Sequence, residues 1–148
     1  MVTLASPPTT DPPPDMLSQL LGLHPSNRLH VIEAVAEGLH VSAFERIAAA
    51  LGMTERRLAE CLRMTTSTLA RRKRSERLSS AESERLYRIA FIIARAVHVL
   101  GSLEDARRWL DTGKRALGGT TPLAFAKTEP GAREVEDLLG RIEYGIPS

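Results

Sequence analysis

The amino-acid sequence predicts an all-α protein in two helical halves. Ala, Leu, Arg and Glu dominate its 148 residues, and aromatic side chains make up only 4%, so helix formers outnumber the residues that strands favour. Helix punctuation recurs along the chain, with Ser or Thr at predicted starts and Gly at predicted ends. No strand signal competes with these marks.

The elements follow in order. Residues 1–16, with Pro7, Pro8, Pro12, Pro13 and Pro14 among Ser, Thr and Asp, read as a disordered arm, because so little apolar surface does not offset the entropy of ordering. Ser42 and Glu45 have capping-box spacing and Gly52 follows, which predicts a helix over about 43–51. Thr54 opens the next, with Leu58, Ala59 and Leu62 facing inward. Ser79 and Glu82 form a second capping box before a helix of about five turns that Gly101 ends. Ser102 with Asp105, Thr121 before Pro122, and Thr128 before Glu129-Pro130 start the last three helices. The run 115–122, with Gly118 and Gly119, lacks the Gly-Lys-Ser/Thr ending of a phosphate loop and reads as a tight interhelical turn. The boundary between the halves falls at Leu78, giving domains 17–78 and 79–148.

Composition narrows the function. With 43% hydrophobic residues the chain buries one modest core or two small ones, not a large enzyme with a separate cofactor domain. The net charge is +2, from 20 Lys and Arg against 18 Asp and Glu, so any nucleic-acid signal lies in clustering. Cys61 is the lone cysteine, which excludes an internal disulfide and fits a reducing cytosol; between Leu58 and Leu62 it reads as a buried structural thiol. His24, His30, His40 and His98 lack metal-ligand spacing, no cofactor motif occurs, and no residue is marked as a nucleophile. The expectation is a non-enzymatic cytoplasmic protein with no membrane span and no signal peptide.

Residues 54–62 and 66–74 form two short helices around a tight break, the pattern of a helix-turn-helix. The start of the second helix in such a unit meets base edges in the major groove. Thr66, Ser67, Ala70 and Arg71 are expected on that face with Leu69 inward, and Arg72, Lys73 and Arg74 extend the DNA-binding set. Together with Arg77 the cations number five within seven positions; phosphate contact is the favoured reading, and neutralisation of the helix C-terminus the alternative. The break Leu62-Arg63-Met64-Thr65 contains none of the Gly that many such turns use for a positive φ.

The helix after Ser79 is unusually apolar. Leu86, Ile89, Ile93 and Val97 lie on one face, with Tyr87, Phe91, Ile92 and Val99 beside it, more than so short a chain is expected to cover, which predicts a homodimer or a partner subunit on this helix, complete wrapping by the neighbouring short helices being the alternative. Glu84, Arg88, Arg95 and His98 form its polar stripe. In the last helix Val135, Leu138, Leu139 and Ile142 recur at helical spacing and should pack inward, leaving Arg133, Glu136, Asp137, Arg141 and Glu143 outward.

The segments beginning at Ser79, Ala106, Arg115 and Ala132, the last running through Leu138-Leu139-Gly140-Arg141-Ile142-Glu143-Tyr144-Gly145, closely resemble the toxin-binding domain of Xre/MbcA/ParS-type antitoxins. Residues 26–78 resemble, less distinctively, the Xre-like DNA-binding module of the same family. The resemblance implies a type II antitoxin that neutralises an NAD-consuming RES-domain toxin by sending its terminal segment towards the NAD site, and that represses its own operon at operator DNA. The toxin-binding set it implies is Arg133, Asp137, Arg141, Glu143, Tyr144, Gly145 and Ile146, with Tyr144 as a stacking surface. On the residues alone the tail reads as a frayed terminus. The competing functions are a stand-alone dimeric helix-turn-helix regulator without a toxin and a scaffold that never touches DNA.

Overall fold

The structure, a computed structural model, describes residues 14–23 and 28–145. Among them are nine α-helices: α1 (Pro14–Leu21), α2 (Arg28–Glu37), α3 (Val41–Leu51), α4 (Glu55–Cys61), α5 (Thr66–Ser75), α6 (Ser80–Leu100), α7 (Leu103–Leu110), α8 (Pro122–Phe125) and α9 (Glu129–Glu143). A short 3-10 turn, Arg115–Leu117, lies between α7 and α8. The expected arm falls outside the described residues up to position 13, and from Pro14 the chain is helical.

Local capping chemistry sets most of these boundaries. At α6 the Ser79 hydroxyl accepts from the Glu82 amide while the Glu82 carboxylate accepts from the Ser79 amide, and Gly101 closes the helix at φ 96°. Thr54, Thr65, Ser102, Thr121 and Thr128 each accept an amide at the start of the helix they precede. The expected Ser42–Glu45 capping box does not form. α3 begins two residues earlier than that box requires, with His40 as its N-cap: the His40 Nδ1 accepts from the Ser42 amide at 3.1 Å, so Ser42 is already inside the helix. The run 115–119 is the interhelical turn that the sequence predicts, its 3-10 turn closed by Gly118 at φ 65°.

α6 is the spine. α1, α2, α7 and α9 all pack on it, while α3 packs on α1, α4 and α7. Leu86, Ile89, Ile92 and Ile93 of α6 join Phe44, Ile47, Leu58, Leu62, Leu110, Val135 and Leu139 as fully buried side chains. Each such burial is worth roughly 1.5–3 kcal/mol. This corrects the sequence reading of a dimer face: Leu86, Ile89 and Ile93 are sealed inside their own chain and offer no surface to a second copy, and Val97 is half-buried. The short helices wrap α6 because they approach it from several sides at once. Polar contacts also run across the two halves. Ser83 Oγ accepts from the Leu39 amide at 2.8 Å, Arg85 donates to the Leu62 carbonyl, Arg107 donates twice to the Ala50 carbonyl, and Arg57 pairs with Asp111 at 2.7 Å.

Two further expectations change. Arg95 keeps its place on the polar stripe of α6, but α9 covers that part of the stripe, and Arg95 is 2% exposed. Ile142, expected inside, is 36% exposed, because inward packing of α9 ends at Leu139.

Candidate functional site

Two surfaces carry chemistry. The first is built on α4 and α5. The turn between them needs a left-handed residue, and Arg63 supplies it at φ 56°, so the chain makes without glycine the turn for which many such units use one. Leu58 and Ala59 of α4, Leu62 of the turn and Leu69 of α5 are buried, which fixes the angle of the two helices. Thr65 caps α5, its hydroxyl accepting from the Thr68 amide and donating to Thr68 Oγ1 at 2.9 Å. The far end of α5 is tied down as well: Glu76, at φ 64°, follows the helix and its carbonyl accepts from the Val41 amide, while the Leu78 amide donates to Leu39.

α5 presents an uneven set of cations. At about 100° per residue, Thr66, Ser67, Ala70, Arg71 and Arg74 share one face, and all five are exposed. Arg72 points away from that face. Its Nε donates to Glu82 Oε1 at 2.7 Å and its Nη2 to Glu82 Oε2 at 3.2 Å. Lys73 sits at the edge and reaches back to Glu55 on α4 at 2.6 Å, and Arg77 donates to the Gly38 carbonyl. Arg71 and Arg74 therefore make no ion pair or hydrogen bond with the described residues, whereas the other three cations of the cluster do. The helical period separates Arg72 from Thr66 and Arg74 in the sequence already; its partner was hidden because Glu82 is the capping residue of a different helix.

Burial works against a charged Glu82, but hydrogen bonds from Arg72 and Ser79 outweigh it and hold the carboxyl below its ordinary range. Burial chiefly pushes the Cys61 thiol up, against the opposing charges of Lys127 and Arg57, as befits a structural cysteine. Burial also lowers the Lys114 ammonium, which lies 5.1 Å from the Trp109 ring centroid.

The second surface is the outer side of α9. Val135, Leu138 and Leu139 face the core, and Arg133, Asp137, Arg141 and Tyr144 lie opposite them within an arc of about 80°. All four are exposed, Tyr144 at 49%. Arg133 is paired along the helix with Glu129 at 2.6 Å. Glu143 stands apart from this face: it turns back towards α6, with Oε2 at 2.7 Å from Arg95 Nη2 and Oε1 at 3.7 Å from His98 Nε2. Gly145 is exposed at φ 67°, and Ile146 lies outside the described residues.

Among the described residues no group of three or more His, Cys, Asp or Glu side chains is gathered to hold a metal ion, and no single helix is long and apolar enough to cross a membrane. Residues 30–90 match the antitoxin Xre-like helix-turn-helix domain, and residues 95–145 match the antitoxin Xre/MbcA/ParS C-terminal toxin-binding domain. The chain belongs to the Xre/MbcA/ParS antitoxin family.

It is an antitoxin of that family and a binding protein, not an enzyme. Its first matched domain includes α5 and runs past residue 78 into the first half of α6; its second includes α7, α8 and α9. The antitoxin is similar to a protein named Antitoxin Xre of Yersinia enterocolitica, 28% identical over 85% of this chain and 86% of that protein. An Antitoxin Xre of Pseudomonas putida is 38% identical over 51% of this chain, a match that spans 48% of that relative. A protein of a Sphingobium species named Prs ADP-ribosylating antitoxin is 28% identical over 90% of this chain and 88% of its own length.

Proposed function

We propose that this antitoxin neutralises an NAD-consuming RES-domain toxin with the outer face of α9 and the segment that follows it, and that it represses its own operon through α5. The observation that carries the first part is the face of Arg133, Asp137, Arg141 and Tyr144. It is the exposed side of the toxin-binding domain's last helix, and it ends in an exposed aromatic ring beside a glycine. An aromatic flanked by charges suits a polar nucleotide cleft, with the ring stacking and the charges pairing at the rim. The name of the Sphingobium relative speaks of ADP-ribosylation, a reaction that draws on NAD, and so supports an NAD-using partner for this chain too.

The operator reading rests on Thr66, Ser67, Ala70, Arg71 and Arg74, a face of small polar residues and uncommitted cations at the helix that such units place in the major groove. Two copies would match the two-fold symmetry of an operator. Among the described residues, Leu29, 68% exposed, and Ile32, 55% exposed, are large apolar side chains on α2 that are open to such a pairing.

The deciding experiment measures NAD consumption by a candidate RES-domain partner, mixed with the full antitoxin or with a chain truncated after Glu143. Inhibition by the full chain that the truncated chain loses supports neutralisation through the terminal segment. Equal inhibition by both moves the contact onto the helices. No inhibition by either favours a stand-alone DNA-binding regulator.

A further inference from the structure

Arg95 is the largest fully buried side chain among the described residues, yet it carries a permanent charge. Its compensation is incomplete. Nη2 lies 2.7 Å from Glu143 Oε2, but the two do not align as a hydrogen bond, so among the described residues neither Glu143 Oε2 nor the buried Nη1 has a hydrogen-bond partner. Buried ion pairs of this quality add little to stability, and apolar residues of similar volume commonly do as well or better. The stability of the core therefore does not account for an arginine here.

Its position does. The apolar contacts that seat α9 are made by Val135, Leu138 and Leu139, and they stop one turn short of the helix end; Ile142 is already partly open. Among the described residues, the polar side-chain contacts of the last turn are those of Glu143, whose Oε2 lies 2.7 Å from Arg95 Nη2 and whose Oε1 lies 3.7 Å from His98 Nε2. Arg95 and His98 lie three residues apart on α6, so the carboxylate sits over that stretch of a rigid helix, with Arg95 as its close partner at 2.7 Å. Tyr144 is the next residue, and its amide is fixed to the Gly140 carbonyl by the same turn.

We propose that Arg95 is a positioning residue for toxin capture: through Glu143 it locks the last turn of α9, so that Tyr144 is presented to the toxin in one orientation. The proposal rests on the reading that the terminal segment meets the toxin. Its physical basis is preorganisation, since each residue that is still to be ordered on binding weakens association by on the order of tenfold.

The test replaces both charges with apolar side chains, Arg95→Met with Glu143→Leu, and compares inhibition of the purified RES-domain toxin with thermal stability. The double variant is expected to unfold at or above the temperature of the parent and to inhibit at least about tenfold less well. The two single variants should each lose as much as the pair, and Arg95→Lys, which keeps a cation beside Glu143, should recover part of what Arg95→Met loses. Should the double variant not fold, Glu143→Gln, which keeps the size and removes the charge, is expected to weaken inhibition in the same direction. Full inhibition by the folded double variant (or by Glu143→Gln in its place) while Tyr144→Ala loses it overturns the positioning role alone. Full inhibition by that variant, by Tyr144→Ala and by the chain truncated after Glu143 overturns the terminal-segment reading, and the positioning role with it.

Discussion

Two arginines two residues apart on α5 are expected to behave as if they belonged to different proteins. In Arg72→Ala, Glu82 loses two hydrogen bonds, at 2.7 and 3.2 Å, and keeps only the Ser79 amide at 2.8 Å. The Glu82 side chain is 7% exposed, so water replaces little of what is lost. Breaking a buried pair costs about 3–5 kcal/mol; Arg72 is itself partly open to solvent, which brings the expected loss to about 2–3 kcal/mol. At about 2–4 °C per kcal/mol for a chain of this size, the melting temperature should fall by roughly 5–10 °C. Arg74→Ala touches no partner among the described residues and should leave the melting temperature within about 1 °C. In titrations of operator DNA across salt concentrations the order reverses. Arg74→Ala should flatten the slope of log affinity against log salt by about 0.9, the value of one phosphate contact, and folded Arg72→Ala should not change it. The assays are differential scanning calorimetry and fluorescence anisotropy. The reasoning is refuted if Arg72→Ala melts with the parent and flattens the salt slope as Arg74→Ala does.

Three further outcomes follow from single residues. In Gly131→Ala the new Cβ would collide with the Phe125 carbonyl oxygen, so α8 and α9 must part; a loss of at least about 3 kcal/mol in urea unfolding is expected, with weaker toxin binding. Arg63→Gly relieves a side chain held at φ 56° and should raise stability by about 0.5–1 kcal/mol, visible as a higher urea midpoint at unchanged slope. The Glu82 carboxyl has a folded-state pKa below its unfolded one, so its stabilisation is fully present above the ordinary carboxylate value of about 4.3 and is lost as pH falls through the depressed value. Melting curves of the parent and Glu82→Gln should therefore converge as pH falls below about 4, and parallel curves over that range would contradict the assignment.

The helix starts at Thr54, Ser79, Ser102, Thr121 and Thr128 were legible in the sequence, because a cap joins a hydroxyl to an amide three residues on and needs no distant partner. Ser42 and Glu45 show the limit of that reading. The spacing is right, but α3 starts where the Val41 amide is taken by the Glu76 carbonyl, a residue far along the chain, and His40 becomes the cap. The apolar face of α6 was likewise evident from its period, and so was the outward placement of Arg133, Asp137 and Arg141 on α9, though not the return of Glu143 to α6. What covers a face is another matter. Whether Leu86, Ile89 and Ile93 meet a second copy or their own chain depends on where α1, α2, α7 and α9 pack, and that is a property of long-range contacts alone. The same holds for the charges. A run of Arg and Lys states that cations are present, but the pairing of Arg72 with Glu82, of Lys73 with Glu55 and of Arg95 with Glu143 decides which of them are committed to the protein itself. Local hydrogen bonds and periodicity determined the helices; the tertiary structure decided which side chains remain for a partner, because burial and ion pairing join residues that the sequence keeps apart.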